Sequence, residues 1–196
     1  MMTDAEDGLR ADARANRAKI VDVAREALAR DPAVSLNAIA KAADVGPGTL
    51  YRHFPNREAL VLAVYRREIE AVAAVAQQLV VRHPPREAFR RWCERLAKFG
   101  RMKQGLADVL GTATSERDLM YLRELYAPIL EALDQLLRAG EASGDFAPGA
   151  DPEDVLQLLG FLWRIKPDAQ GTARIERLLD LVVRGLNAPV SPTTRE

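Results

Sequence analysis

Residues 35–64 read SLNAIAKAADVGPGTLYRHFPNREALVLAV, and everything else in the chain is placed by this stretch. Ser35 is a helix-capping residue type, and Leu36 to Ala43 follows as a short helix. Ile39 and Ala40 face inward there, and Ala40 is small where two helices cross closely. Asp44-Val45-Gly46 makes a turn with Val45 as its apolar plug, and a third helix runs from Pro47 to His53. Phe54-Pro55 breaks it, because the residue before a proline is pushed away from helical geometry. Leu50 and Phe54 pack this short helix back onto its predecessors. The result is a helix-turn-helix.

Working outward, a first helix is expected from about Arg14 to Arg30, with the stripe Ile20, Val23, Ala24, Ala27 and Leu28. Asp31-Pro32 ends it. Residues 1–13 are polar and read as a disordered arm. Asn56 caps a fourth helix from Arg57 to about Val81. At 1.5 Å per residue this helix is roughly 35–40 Å long, too long for a three-helix unit alone, so it reads as a strut shared by two domains.

The second half repeats helical spacing without a motif of comparable density. Pro84-Pro85 opens helix 5, whose stripe is Phe89, Trp92, Cys93, Leu96, Phe99 and Gly100. A short helix is expected over Lys103 to Leu110, and Ser115 can cap a long helix carrying Leu119, Leu122, Tyr126, Ile129, Leu133, Leu136 and Leu137. Pro128 lies inside that stripe, so a kink or break is expected near Leu125. Residues 140–149 read as a loop, and Asp151-Pro152-Glu153-Asp154 as a helix start with cap, N1 proline and first-turn acids. Helix 8 carries Val155, Leu156, Leu159, Leu162 and Trp163 and stops at Pro167; helix 9 runs from Thr172 to Leu186, and 189–196 is a flexible tail. The fold class is all-α, with about nine helices.

Composition narrows the function. The 196 residues are 48% hydrophobic, enough for a sizeable core, and 28 basic residues balance 28 acidic ones. Global charge therefore does not announce a nucleic-acid partner; local distribution must do so. The acidic start MMTDAEDGLR is not a secretory signal, no apolar stretch approaches a membrane span, and the single Cys93 excludes an internal disulfide. A cytoplasmic protein without membrane contact is expected. Cys93 falls on the apolar stripe beside Trp92 and reads as a small core hydrophobe rather than a nucleophile. Two histidines and one cysteine give no metal-binding spacing, and no cofactor or catalytic set is in view.

The third helix carries the functional signal. It is short, and it turns small residues outward at its nose: Gly46, Pro47, Gly48 and Thr49. Such a helix can enter a major groove deeply. At this point the segment resembles the DNA-binding domain of the TetR family, whose pattern runs close to aGVsxGTLYxHFxsKeaL. Gly48-Thr49-Leu50-Tyr51-Arg52-His53-Phe54-Pro55-Asn56-Arg57-Glu58-Ala59-Leu60 matches it nearly throughout. With helix 1 the likeness covers about residues 14–65. The leucine-rich stretch APILEALDQLLRAGEASGDF, residues 127–146, is similar to the sensor domains of SbtR-like members. Three departures stand out. The family's turn glycine is Asp44, which tolerates the positive φ expected there; its serine before the third helix is Gly46; and its lysine at the start of helix 4 is Arg57.

The resemblance implies a DNA-binding domain over 14–56 and a ligand-binding and dimerisation domain over 57–188. It implies phosphate contacts by Tyr51 and His53, where helix packing and plain surface polarity are the competing readings. Thr49 and Arg52 stand where base edges are read or flanked, and arginine suits guanine. Arg57 works against the helix dipole, a small cost better understood with a phosphate nearby. Pro47 and Gly48 form the nose, and Lys41 and Ser35 are secondary phosphate candidates. The basic run Arg10, Arg14, Arg17 and Lys19 reads first as a solvated face and alternatively as an arm reaching the minor groove.

For the second domain the family implies a small-molecule pocket among helices 4 to 7. Phe89, Trp92, Phe99, Met102, Tyr126, Phe161 and Trp163 are the candidate lining, although core is the simpler reading for most of them. Such a lining suits a largely apolar effector of unknown identity, with the Tyr126 hydroxyl and the Trp92 indole N–H as polar handles. Helix 9 carries Ile175, Leu178, Leu179, Leu181, Val182, Val183 and Leu186, which cover more than one face. With helix 8 it is expected to form a homodimer interface through Leu156, Leu159, Trp163, Leu178, Leu181 and Val182. The function implied is a repressor released by its effector from an inverted-repeat operator in double-stranded DNA.

Overall fold

The computed structural model describes residues 3–103, 116–166 and 168–187. The described chain is all helical, with no strand. Its elements are α1 (Thr3–Arg30), α2 (Leu36–Ala42), α3 (Pro47–His53), α4 (Arg57–Arg82), α5 (Pro85–Lys103), α6 (Glu116–Ser143), α7 (Pro152–Leu158), a 3₁₀ turn (Leu159–Trp163) and α8 (Ala169–Leu186). They group into two compact units that divide inside α4, the first holding the chain up to Arg67 and the second beginning at Glu68.

The core of the first unit is Ile20, Val21 and Ala24 from α1, Ile39, Ala40 and Ala43 at α2, Leu50 and Phe54 at α3, and Leu60, Ala63 and Val64 from α4. Each fully buried Leu, Ile or Phe contributes roughly 1.5–3 kcal/mol. Ala40 is the small residue at the α2 crossing, and Val45 packs against the cluster half-buried. The turn closes by Asp44 N–H donating to the Lys41 carbonyl at 3.1 Å and Val45 N–H to the Ala40 carbonyl at 3.0 Å. Asp44 has φ +54°, the left-handed geometry expected of it.

Several boundaries differ from expectation. α1 begins at Thr3 rather than Arg14, so residues 3–13 are helical. The sequence there is rich in alanine and acids, residue types that favour a helix and its positive end. Pro128 does not break α6, which is one helix through it. The carbonyl deprived of a partner by Pro128 belongs to Glu124, an exposed residue where water can satisfy it, while Leu125, Ile129, Leu133 and Leu136 stay buried on the other face.

Nor does the loop begin at Gly140. The helix continues to Ser143 and ends at Gly144 with φ +77°. Asp145 N–H reaches the Gly140 carbonyl at 2.9 Å and Gly144 N–H the Glu141 carbonyl at 3.1 Å, the paired bonds of a Schellman cap. Helix 8 shortens to α7 and tightens into the 3₁₀ turn from Leu159, and helix 9 begins earlier than Thr172, capped by Asp168 on Gly171 N–H at 2.7 Å. The expected short helix over 103–110, the Ser115 cap, Pro167 and the tail 189–196 lie wholly or mostly outside the described residues.

In the second unit α5 packs on α6 and on the 3₁₀ turn, and α6 packs on α7. Phe89 meets the ring of Phe146 edge-on at 5.6 Å. Trp92 is fully buried and its indole N–H donates to the Val72 carbonyl at 3.1 Å.

Candidate nucleic-acid interface

The local chemistry of α2, α3 and the start of α4 follows from short caps. Ser35 Oγ accepts from Ala38 N–H at 3.2 Å and Asn56 Oδ1 from Ala59 N–H at 2.8 Å. Gly46 occupies the N-cap of α3 without a side-chain bond, and Pro47 follows at N1. Leu50 is the α3 residue that turns fully into the core. Pro47, Gly48, Tyr51 and Arg52 are exposed, and Thr49 and His53 are half-buried. Tyr51 is 46% exposed, a large ring left outside a well-filled core. A Cβ added at Gly46 or Gly48 would meet nothing within 4 Å.

The cations around this surface are individually placed. Arg52 folds back along its own helix, donating from Nε to the Gly48 carbonyl at 3.2 Å and from Nη2 to Thr49 Oγ1 at 3.4 Å. Arg17 on α1 lies over the Phe54 ring, 5.0 Å from its centroid. Lys19 approaches Asp44 at 3.9 Å, and Lys41 is exposed at the last turn of α2. Arg57 forks into the α1–α2 connection, donating to the carbonyls of Val34 and Pro32. Those two acceptors offset its position at the positive end of α4, without any phosphate. All nine sequence-marked residues, Ser35, Lys41, Pro47, Gly48, Thr49, Tyr51, Arg52, His53 and Arg57, thus lie in the first unit on or beside α2 and α3.

Two family models match the chain. Residues 20–64 match that of the bacterial regulatory proteins of the tetR family, and residues 84–188 match the C-terminal domain of SbtR-like transcriptional regulators. The chain belongs to the TetR family of transcriptional regulators. Among solved structures, the TetR regulator SCO0520 of Streptomyces coelicolor is 32% identical, covering 89% of this chain and 99% of its own at a TM-score of 0.67. The transcriptional repressor KstR of Rhodococcus jostii is 29% identical over 163 residues, 81% of this chain and 74% of KstR. The regulator UidR of Escherichia coli K12 is 34% identical over 70 residues, so the match spans only 36% of that relative's length.

Within this TetR-family chain, the sequence-marked residues of the second unit are distributed differently. Phe89, Trp92 and Phe99 on α5 are buried, while Tyr126 on α6 and Phe161 in the 3₁₀ turn are half-buried. The side chains of Met102 and Trp163 lie outside the described residues. The Trp92 N–H already has the Val72 carbonyl, so it is not the free polar handle expected from sequence. Cys93 is buried, and burial, the largest influence, pushes its thiol far above the ordinary cysteine range, with Arg90 opposing and Glu94 reinforcing. It is therefore a protonated core residue. No described group of His, Cys, Asp and Glu could hold a metal, and no described helix is long and apolar enough to cross a membrane.

Leu159 and Val182 are buried within the chain, and Leu156 and Leu178 are half-buried. Leu181 is 56% exposed and Leu158, which sequence reasoning did not mark, is 60% exposed. Its signal was present: Val155, Leu156, Leu158 and Leu159 are more apolar positions than one helical face can bury.

Proposed function

We propose that the chain is a cytoplasmic, homodimeric repressor that binds an inverted-repeat operator through α3 and is released by a small, largely apolar effector. The observation that carries the DNA reading is the outward face of α3. Thr49, Arg52 and His53 lie along it with Tyr51 to one side, Tyr51 is exposed without a core to fill, and an added Cβ at Gly46 or Gly48 would meet open space. A short helix with this face suits the major groove, with Tyr51 and His53 as phosphate contacts and Lys41, Ser35, Pro47 and Gly48 flanking. Arg57 enters this reading as the clamp that fixes the α1–α2 connection to α4, and Arg17 joins the contact surface by its fixed place over Phe54.

Residues 14–56 are the DNA-binding domain in this reading, and 57–188 bind the effector and form the dimer. Leu178 and Leu181 on α8, with Leu158 on α7, supply the apolar surface left uncovered in a single chain, and Leu156, Leu159, Trp163 and Val182 support it. A two-fold dimer places two α3 helices on two half-sites. Tyr126 and Phe161 are the half-buried members of the pocket set, and Phe89, Trp92, Phe99, Met102 and Trp163 back them. The effector releases DNA by binding more tightly to the conformer whose two α3 helices do not match the operator spacing. The test is selection from a random DNA library with the full-length protein. Enrichment of one inverted repeat, bound more weakly as salt rises, is the expected result. A library that yields no palindrome would refute the proposal.

A further inference from the structure

Of the outward residues of α3, only one can present paired donors. Pro47 has no N–H and Gly48 no side chain. Thr49 is half-buried, Tyr51 carries a single hydroxyl, and His53 sits beside the Phe54 ring at the far end of the helix. Arg52 is exposed, yet its guanidinium is held. Nε–H donates to the Gly48 carbonyl and Nη2 to Thr49 Oγ1. These two bonds use the edge of the fork formed by Nε and the neighbouring Nη2 hydrogen, and they turn the side chain back toward the N-terminal turn of α3. The other edge keeps one hydrogen on Nη1 and one on Nη2, parallel to each other, with no acceptor among the described residues.

A pair of parallel donors at that spacing matches O6 and N7 of guanine in the major groove. The N-terminal part of a recognition helix is also the part that meets base edges. We infer that Arg52, held by Thr49, reads one guanine in each half-site of the operator and fixes the sequence preference of α3. The inference rests on the DNA-binding reading above and adds the base and the residue that selects it. Arg52 is the contact; Thr49 is a positioning residue, acting only through the bond from Nη2. The intrahelical bonds hold the long side chain in place before DNA arrives, so less rotamer freedom is lost on binding.

The experiment titrates full-length wild type, Arg52→Ala and Thr49→Val against the inverted repeat selected by the wild type. Each is also titrated against operators with every half-site position replaced in turn. One G·C pair is expected at which replacement weakens wild type about 10- to 100-fold and leaves Arg52→Ala unaffected. Thr49→Val keeps the branched shape, melts as wild type does, and loses discrimination at that same pair while the pattern elsewhere is retained. That position-specific loss is a readout a merely structural threonine would not move. If Arg52→Ala instead weakens binding to every operator equally and keeps the full preference pattern, Arg52 is a phosphate contact and the inference is overturned. If the wild type selects an inverted repeat but no pair depends on Arg52, this inference alone fails. If it selects no repeat, the DNA-binding reading falls with it.

Discussion

Two pairs of glycines in this chain stand in opposite surroundings. At Gly46 and Gly48, around α3, an added Cβ would meet open space. At Gly171, where α8 begins, it would lie 1.9 Å from the Lys166 carbonyl oxygen, and at Gly140 on α6 it would lie 2.0 Å from the Phe146 ring. The second pair is required by the chain's own packing. Nothing in the described chain crowds the first pair: Gly46 is the N-cap of α3, where glycine is well accepted, and Gly48 lies inside that helix, where glycine costs up to about 1 kcal/mol relative to alanine. Gly48 belongs to the same short helix as Tyr51, Arg52 and His53. The contrast extends to the aromatic side chains: Tyr51 on α3 is exposed, while Phe89, Trp92 and Phe99 on α5 are buried.

That contrast can be broken first at Trp92. Trp92→Ala should lower stability by about 3–5 kcal/mol, because it empties a buried site and deprives Val72 of a donor. Urea unfolding checks this, with Cys93 as an internal reporter: its buried thiol should resist alkylation until the chain unfolds. Under folding conditions the operator affinity of this variant should be near that of wild type. A folded Trp92→Ala protein with native stability would show that the second unit's aromatic set is not core.

The same contrast explains what could be read from sequence. The helix-turn-helix was legible almost residue by residue, because its turn, caps and breakers use chemistry specific to position: Ser35 and Asn56 as caps, Asp44 in left-handed geometry, Phe54-Pro55 as a stop. Outward residues were legible because they depart from the burial pattern. In the second unit a pocket residue and a core residue are both apolar at the same spacing, so Trp92 could not be told from a ligand contact. Pro128 does not end its helix because tertiary burial of its neighbours overrides one missing N–H. The hold of Arg57 on Pro32 and Val34 joins positions far apart in the chain and left no local signal.

A smaller effect tests assembly. Leu181→Glu, alone or with Leu178→Glu, should give monomers by sedimentation and lower operator affinity about 100-fold or more, since two linked half-sites bind far better than one. Val182→Glu is a poorer probe, because Val182 is already buried within its own chain and the change would test folding. A dimer that persists in the Leu178, Leu181 double variant would move the interface elsewhere.

Arg57→Ala should cost about 1.5–3 kcal/mol of stability by leaving the carbonyls of Pro32 and Val34 without their charged donor, read by thermal or urea melting. Unchanged stability with reduced DNA binding would return Arg57 to the role of a phosphate contact. The smallest change, Gly48→Ala, should have opposite signs in two assays. Stability should rise by up to about 1 kcal/mol, while operator affinity falls, because the added methyl stands in the space left for DNA. Gly171→Ala should destabilise instead, by about 1–3 kcal/mol. If Gly48→Ala left DNA binding intact, the open nose of α3 would have no bearing on recognition.

If the outward face of α3 meets DNA, its backbone amides are shielded when operator is bound. Amide hydrogen exchange on the full-length protein, with and without the selected operator, reads this shielding. Slowed exchange concentrated in residues 46–53, with α5 and α8 unchanged, is the expected result. Exchange in 46–53 that is the same with and without operator, while protection appears elsewhere, would contradict it.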